Sequence, residues 1–134
     1  YKYSVYMSKI NTFLKFIFHV LILFLIIISL FPGSLIGYFL YGDLGQQPDI
    51  IKNPFGTSIN HFICYLFISL LGFFIYIRHK NFHKLVYVMF FLSIILEILQ
   101  IIIPNRSFQL VDLVGNFLGV IVAYFSIKIY LSLK

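Results

Sequence analysis

The sequence predicts an all-α protein, a bundle of four transmembrane helices in a single domain that covers residues 1–134. Two observations carry this prediction. Of the 134 residues, 61% are hydrophobic and only 10% are charged, with a mean hydropathy of +1.01, whereas a soluble domain has about 25% charged residues. Four separate apolar runs also approach or reach the ~20 residues that a helix needs to cross a membrane.

The four predicted spans end where the apolar runs meet helix-breaking or basic residues. Pro32 closes the first span and Pro104 closes the third, because proline cannot continue a helix. The basic residue Arg78 follows the second span. Residues 32–58 form the one long connection, in which glycines and prolines mark turns. Its aromatic and aliphatic residues predict that it lies on the membrane surface or caps the bundle. The spans are, in order, about residues 13–31, 59–77, 85–103 and 110–131.

Lysine and arginine are distributed unevenly between the two sides of these spans. Eight of the ten lie near the chain termini or in the connection between the second and third spans, whereas Lys52 and Arg106 lie in the other two connections. Because cytoplasmic loops are enriched in Lys and Arg, we expect both termini in the cytoplasm, with residues 32–58 and 104–109 facing outward. The same bias accounts for the net charge of +6, so nucleic acid is not an expected partner.

Polar side chains from three spans are expected at one depth. Glu97 and Asn116 each lie roughly 9 Å inside their span at a rise of ~1.5 Å per residue. A lipid-facing carboxylate at a helix centre costs roughly 2.5–3.5 kcal/mol, so Glu97 should face the bundle interior or an outward-opening cavity, with Arg106 and His61 as partners. Neighbours three or four residues apart project from one side of a helix. The predicted functional cluster contains His61, Glu97, Gln100, Arg106, Asp112 and Asn116.

A stripe of small residues borders this cluster in the fourth span. Gly115, Gly119 and Ala123 follow one another at four-residue steps, a pattern that lets another helix approach closely. We expect the stripe to pack within the bundle, next to Asp112 and Asn116. Dimerisation through it is the alternative, and the sequence leaves the oligomeric state open.

The sequence predicts neither a metal site nor a cofactor. Cys64 is the only cysteine, which excludes an internal disulfide and a cysteine-built metal centre, and we expect it to be a small buried hydrophobe. His79 and His83 are helical neighbours, but no third ligand is near them.

Seven residues of the third and fourth spans keep the order "ExxQxxxPxR", then "DxxxN", then a glycine. They are Glu97, Gln100, Pro104, Arg106, Asp112, Asn116 and Gly119. This pattern resembles the VanZ-like family of small bacterial membrane proteins, as does the "SLFPG" that ends the first span. His61-Phe62 matches the second half of the family's "DKxxHF" element, while Thr57 and Ser58 stand where its Asp and Lys would be.

The resemblance implies a multi-pass protein of the bacterial cytoplasmic membrane. The family's namesake is associated with resistance to the glycopeptide teicoplanin, which acts on cell-wall precursors outside the membrane. Membrane lipids are therefore the expected partners, with a wall precursor or a glycopeptide as further candidates. The resemblance also makes antibiotic resistance a function to consider.

Three functions remain open from the sequence. In the first, the cluster binds or modulates a cell-envelope component, and Arg106 suits a phosphate or carboxylate because its planar fork donates two hydrogen bonds. In the second, Glu97 and Asp112 are a general acid and base acting on a lipid-linked substrate with help from His61, although no activated nucleophile is evident. In the third, the protein has a structural or assembly role.

Overall fold

The structure is a computed structural model that describes residues 2–47, 56 and 58–133, with side chains from residue 9 onwards. It is all-helical, with 79% helix, and no strand occurs among the described residues. The predicted all-α fold is therefore confirmed. Lys52 and Thr57, which the sequence analysis used, lie outside the described residues. The helices are α1 (Lys2–Leu30), α2 (Leu35–Tyr41), α3 (Ser58–Tyr76), α4 (Phe82–Leu99) and α5 (Leu110–Ser132).

Four of these helices are long and apolar enough to cross a membrane, as predicted. Within α1 the candidate span is Lys9–Leu30, α3 and α5 qualify over their whole lengths, and the α4 span continues to Ile102. The α1 helix is the most peripheral, because only 11% of its apolar window is buried inside the protein, against 33–39% in the other three. Its close contact with α3 is made by Phe18, whose ring packs so tightly on Gly72 that a Cβ atom there would lie 2.5 Å from the ring.

The connection between α4 and α5 turns sharply at Pro104. The α4 helix ends at Leu99 and continues as a 3-10 turn over Gln100–Ile102. Ile103 is then extended, with φ −89° and ψ 127°, as expected for a residue that precedes proline. Asn105 adopts φ +59°, and α5 begins at Leu110. We call the end of the bundle at this turn the polar end.

Part of the long connection forms the short helix α2. Ser34 caps its start, because its Oγ accepts a hydrogen bond from the Gly37 backbone N–H at 2.9 Å. Gly42 ends it in the left-handed region with φ +72°. Tyr38 and Phe39 are exposed on its outer side. The opposite side meets the following segment so closely that a Cβ atom on Gly37 would overlap the Gln46 carbonyl.

The small residues of α5 face α3. A Cβ atom on Gly115 would lie 2.8 Å from the Ser58 carbonyl oxygen, and one on Gly119 would lie 2.6 Å from that of Phe62. Ala123, one turn further, is fully buried. The close approach of the two backbones sets the polar side chains at the start of α5 against those at the start of α3.

Candidate functional site

A chain of hydrogen bonds joins α3, α4 and α5 at the polar end. Ser58 Oγ donates to Asp112 Oδ1 at 2.6 Å, and Asn116 Nδ2 donates to Glu97 Oε2 at 3.3 Å. His61 connects the two halves, with Nδ1 at 3.1 Å from Asn116 Oδ1 and Nε2 at 3.7 Å from Asp112 Oδ2. Because the Asn116 amide nitrogen donates to Glu97, its oxygen is the acceptor, so the proton between these residues belongs to His61 Nδ1.

Glu97 is held by hydrogen-bond donors and is almost fully buried, with 1% of its surface exposed. Its second oxygen, Oε1, accepts the backbone N–H of Gln109 at 3.2 Å. Gln109 is the residue that precedes α5, and its own side chain makes no cap. The carboxylate therefore caps the start of α5, where unsatisfied N–H groups and the helix dipole favour a negative charge.

Arg106 binds the end of α1, and the prediction that it pairs directly with Glu97 is wrong. Its Nε donates to the Phe31 carbonyl at 3.1 Å, and its Nη2 donates to the Ile28 carbonyl at 2.7 Å. The last carbonyls of a helix have no partner within the helix, and the planar guanidinium bridges two of them. Burial lowers the pKa of Arg106 and the nearby charge of Glu97 raises it, but a guanidinium remains protonated in proteins.

A partly open cavity of about 130 Å³ lies between α1, α2, α3 and the turn after α4. His61, Gln100 and Arg106 of the predicted cluster line it. Glu97, Asp112 and Asn116 are not among its lining residues and lie behind His61 instead. The six predicted residues are thus divided between the cavity wall and a buried network, and His61 belongs to both. The other lining residues are Leu25, Ile28, Ser29, Ser34, Leu35, Ile36, Gln47, Asn60, Cys64 and Tyr65.

Gln100 lies in the 3-10 turn and is only 4% exposed. Its backbone N–H bonds to the carbonyls of Glu97 and Ile98. No hydrogen bond to its side-chain amide is present within residues 2–47, 56 and 58–133. Because Gln100 lines the cavity, its side-chain amide is free to hydrogen-bond a molecule bound there.

Sequence reasoning missed several residues of the site. Ser58 donates to Asp112, and its place three residues before His61 was the only sequence signal for it. Ser29 and Ser34 reach the cavity from the end of α1 and the start of α2, for which the sequence offered no signal. Cys64 was expected to be buried, but it is exposed and lines the cavity, because its side of α3 faces away from α5.

A sequence model of the VanZ/LLP1 family matches residues 4–131 of the 134-residue chain. The chain belongs to the VanZ/LLP1 family. The resemblance inferred from the spacing of Glu97, Gln100, Arg106 and Asp112 is thereby confirmed. No curated protein and no solved structure showed a significant match.

The site of this VanZ/LLP1-family protein has polar side chains on two of its walls. Arg106 and Gln100 come from the turn after α4, while His61 and Tyr65 come from α3. The Tyr65 hydroxyl itself donates to the Leu92 carbonyl at 3.3 Å. Among the described residues, no three His, Cys, Asp or Glu side chains come together in a way that could hold a metal ion. The chemistry that the wall supports best is recognition of a polar group by hydrogen bonding.

Proposed function

We propose that this membrane protein binds a polar group of a cell-envelope component in the cavity at its polar end. The observation that carries the proposal concerns Gln100, a residue only 4% exposed that lines the cavity and whose side-chain amide has no hydrogen-bond partner within the described residues. Arg106 and His61 share the same wall. Glu97, Asp112 and Asn116 support the site from behind by fixing the orientation of the His61 ring.

The proposal includes the orientation of the protein in the membrane. The basic residues Arg78, Lys80 and Lys84 lie at the end of the bundle opposite the polar end. The positive-inside rule places that end in the cytoplasm, which turns the cavity toward the outer leaflet of a bacterial cytoplasmic membrane. Lipid headgroups and wall precursors are present at that surface. A contribution to antibiotic tolerance would follow from binding such a component.

Size favours a headgroup over a whole antibiotic as the bound group. The cavity of about 130 Å³ is small beside the roughly 300–1,000 Å³ of pockets that hold drug-sized ligands. One headgroup fits this space, whereas a glycopeptide antibiotic is many times larger. An effect on such a drug would therefore act through its envelope target or through a small part of the drug.

Native mass spectrometry of the protein purified from bacterial membranes tests this function. We expect a co-purified lipid or precursor on the wild-type protein. Arg106→Lys keeps the charge but loses the planar fork, so occupancy should fall by about tenfold, the loss expected for one charged hydrogen bond. Arg78→Lys is the matched control, because Arg78 is exposed at the opposite end. Equal occupancy in the two variants would contradict the proposal.

Catalysis on a lipid-linked substrate is a second candidate, and His61 in the cavity wall, with Asp112 behind it, favours it. A carboxylate beside an imidazole can orient a general base. Glu97→Gln separates the two functions, because it disturbs the same network without removing a lining residue. An enzyme should then lose turnover on a labelled lipid extract while retaining the co-purified lipid. A binding protein should show no turnover, whether the wild-type protein or Glu97→Gln is assayed.

A further inference from the structure

The wall of the cavity carries positive charge without a carboxylate on it. Among the described lining residues, only His61 and Arg106 can be cationic, and none is an aspartate or glutamate. The two carboxylates of the region, Glu97 and Asp112, are 1% and 4% exposed and already accept hydrogen bonds from protein donors. A molecule entering the cavity therefore meets the positive members of the cluster first.

Arg106 keeps part of its hydrogen-bonding capacity for this molecule. A guanidinium has five N–H donors in a fixed plane, and the bonds to Phe31 and Ile28 use Nε and Nη2 only. Both partners are neutral carbonyls, and no ion pair to Arg106 is formed within the described residues. A half-buried cation with no anion in contact has lost hydration without gaining a counter-charge. An anion in the cavity would supply one.

Gln100 lies at the same wall. The residue is only 4% exposed, and its side-chain amide, which lines the cavity, has no partner within the described residues. Its NH₂ group can donate to an anionic oxygen, while an ammonium group would be repelled by the neighbouring Arg106. The charge of Arg106 thus sets the sign of the ligand, and the Gln100 amide adds a donor for the same anion.

The shape of the cavity adds a requirement for an apolar attachment. Leu25, Ile28, Leu35 and Ile36 line the side toward α1 and α2. These side chains suit the first carbon atoms of a lipid chain, whereas the polar wall suits its charged end. A phosphate group presents three strong acceptor oxygens, which matches the several donors of that wall better than the two oxygens of a carboxylate.

We propose that the cavity binds a phosphate group, with Arg106 Nη1 and the Gln100 amide as its donors. This inference rests on the proposed function and adds the charge and the chemical class of the bound group. The phosphate can belong to a lipid headgroup or be free phosphate. The apolar side of the cavity favours the lipid.

Cys64 provides a direct readout of occupancy, because it lines the same cavity and is the only cysteine. The full-length protein, stripped of lipid in a neutral detergent, is treated with limiting N-ethylmaleimide in the presence of one probe at a time. The probes are a short-chain phosphatidic acid, the diacylglycerol with the same chains, and inorganic phosphate. We expect phosphatidic acid to slow alkylation of Cys64 by about fivefold or more, as saturation of an occluding site implies, and diacylglycerol to leave the rate unchanged.

The arms of this experiment separate the sources of the phosphate. Protection by phosphatidic acid at concentrations where inorganic phosphate has no effect assigns a lipid, and equal protection by inorganic phosphate assigns the free anion. Equal protection by diacylglycerol would overturn the phosphate proposal while leaving binding of an envelope lipid intact. Protection by none of the three would also overturn it, and the native mass spectra would then decide the proposed function separately.

Gln100→Glu tests the wall itself, because it replaces the amide with a negative charge of the same shape. We expect phosphatidic acid to protect Cys64 at a concentration about tenfold higher or more, the cost of losing a hydrogen bond to a charged group. Gln46→Glu is the matched control, since Gln46 is exposed and does not line the cavity. An unchanged protection curve in folded Gln100→Glu would contradict the proposal. If that variant does not fold, the comparison of phosphatidic acid with diacylglycerol on the wild-type protein decides alone.

Discussion

Glu97 accepts two hydrogen bonds, from the Gln109 backbone and the Asn116 amide, and forms no ion pair within the described residues. The sequence predicted that Glu97 avoids lipid and faces either the bundle interior or a cavity, and the structure places it in the interior. The sequence did not predict the partners. Arg106 was the nearest cation in the sequence, but carbonyls at the end of α1 bind it, 75 and 78 residues away in the chain. Every residue has a backbone carbonyl, so the sequence does not indicate which carbonyls will bind a side chain.

Replacing Glu97 with glutamine should destabilise the protein. The side-chain amide of the variant has only one acceptor oxygen. Either the Gln109 N–H or the Asn116 NH₂ group, both of which donate to Glu97 in the wild-type protein, then faces another donor. A buried donor left without a partner costs about 1–3 kcal/mol, and we expect a loss of this size in the free energy of unfolding in detergent. Asp43→Asn is the matched control, because Asp43 also accepts a backbone N–H, from Gly45 at 2.8 Å, but is exposed. Equal stability of the two variants would show that the network contributes little.

The helices themselves were predictable from apolar runs and their boundaries. Pro104 fixed the end of the third span, and α5 begins at Leu110, as predicted. The α4 helix starts at Phe82, three residues earlier than expected, because His83 and Lys84 continue the helix despite their polarity. The short helix α2 was not predicted, because its seven residues, Leu35–Tyr41, are too few to show a helical period among turn-forming glycines. Without α2, the cavity could not be anticipated.

The close packing of α3 on α5 can be tested by adding one methyl group. In Gly119→Ala the new Cβ atom would lie 2.6 Å from the Phe62 oxygen and 2.9 Å from the Leu66 nitrogen, both backbone atoms that cannot turn away. We expect a loss of about 1–3 kcal/mol in the free energy of unfolding, as for other overpacked sites. Gly45→Ala should change it by less than about 0.5 kcal/mol, because its new Cβ meets only the Asp43 side chain, at 3.3 Å. A stable Gly119→Ala protein would mean that the two helices lie further apart.

Most of the described basic residues lie at the end of the molecule opposite the polar end, where Arg106 is the exception. The acidic residues Glu97 and Asp112 lie at the polar end, while Lys15 and Lys128 lie at the other and stack over Tyr76 and Tyr124, at 5.3 and 5.5 Å from the ring centroids. This asymmetry was readable from the sequence, because the positive-inside rule depends on loop composition alone. The division of the polar residues between a cavity wall and a buried network was not, because it depends on how α1 and α2 close over α3.

Cysteine labelling in intact cells tests the orientation. In a Cys64→Ala background, a cysteine in place of Ser107, which is exposed in the turn after α4, should react with a membrane-impermeant maleimide. A cysteine in place of Lys80, exposed between α3 and α4, should react only after the cells are permeabilised. The reverse pattern would place the cavity on the cytoplasmic side, and the outer-leaflet part of the proposed function would be wrong.

The central claim, that the cavity at the polar end holds a polar group of an envelope component, is tested most directly by an experimental density map. The protein should be extracted with its native lipids into nanodiscs and imaged at a resolution that shows side chains. We expect non-protein density in the cavity, within hydrogen-bonding distance of Arg106 and of the Gln100 amide. A cavity that contains only water, or one closed by the side chains of α1 and α2, would contradict it.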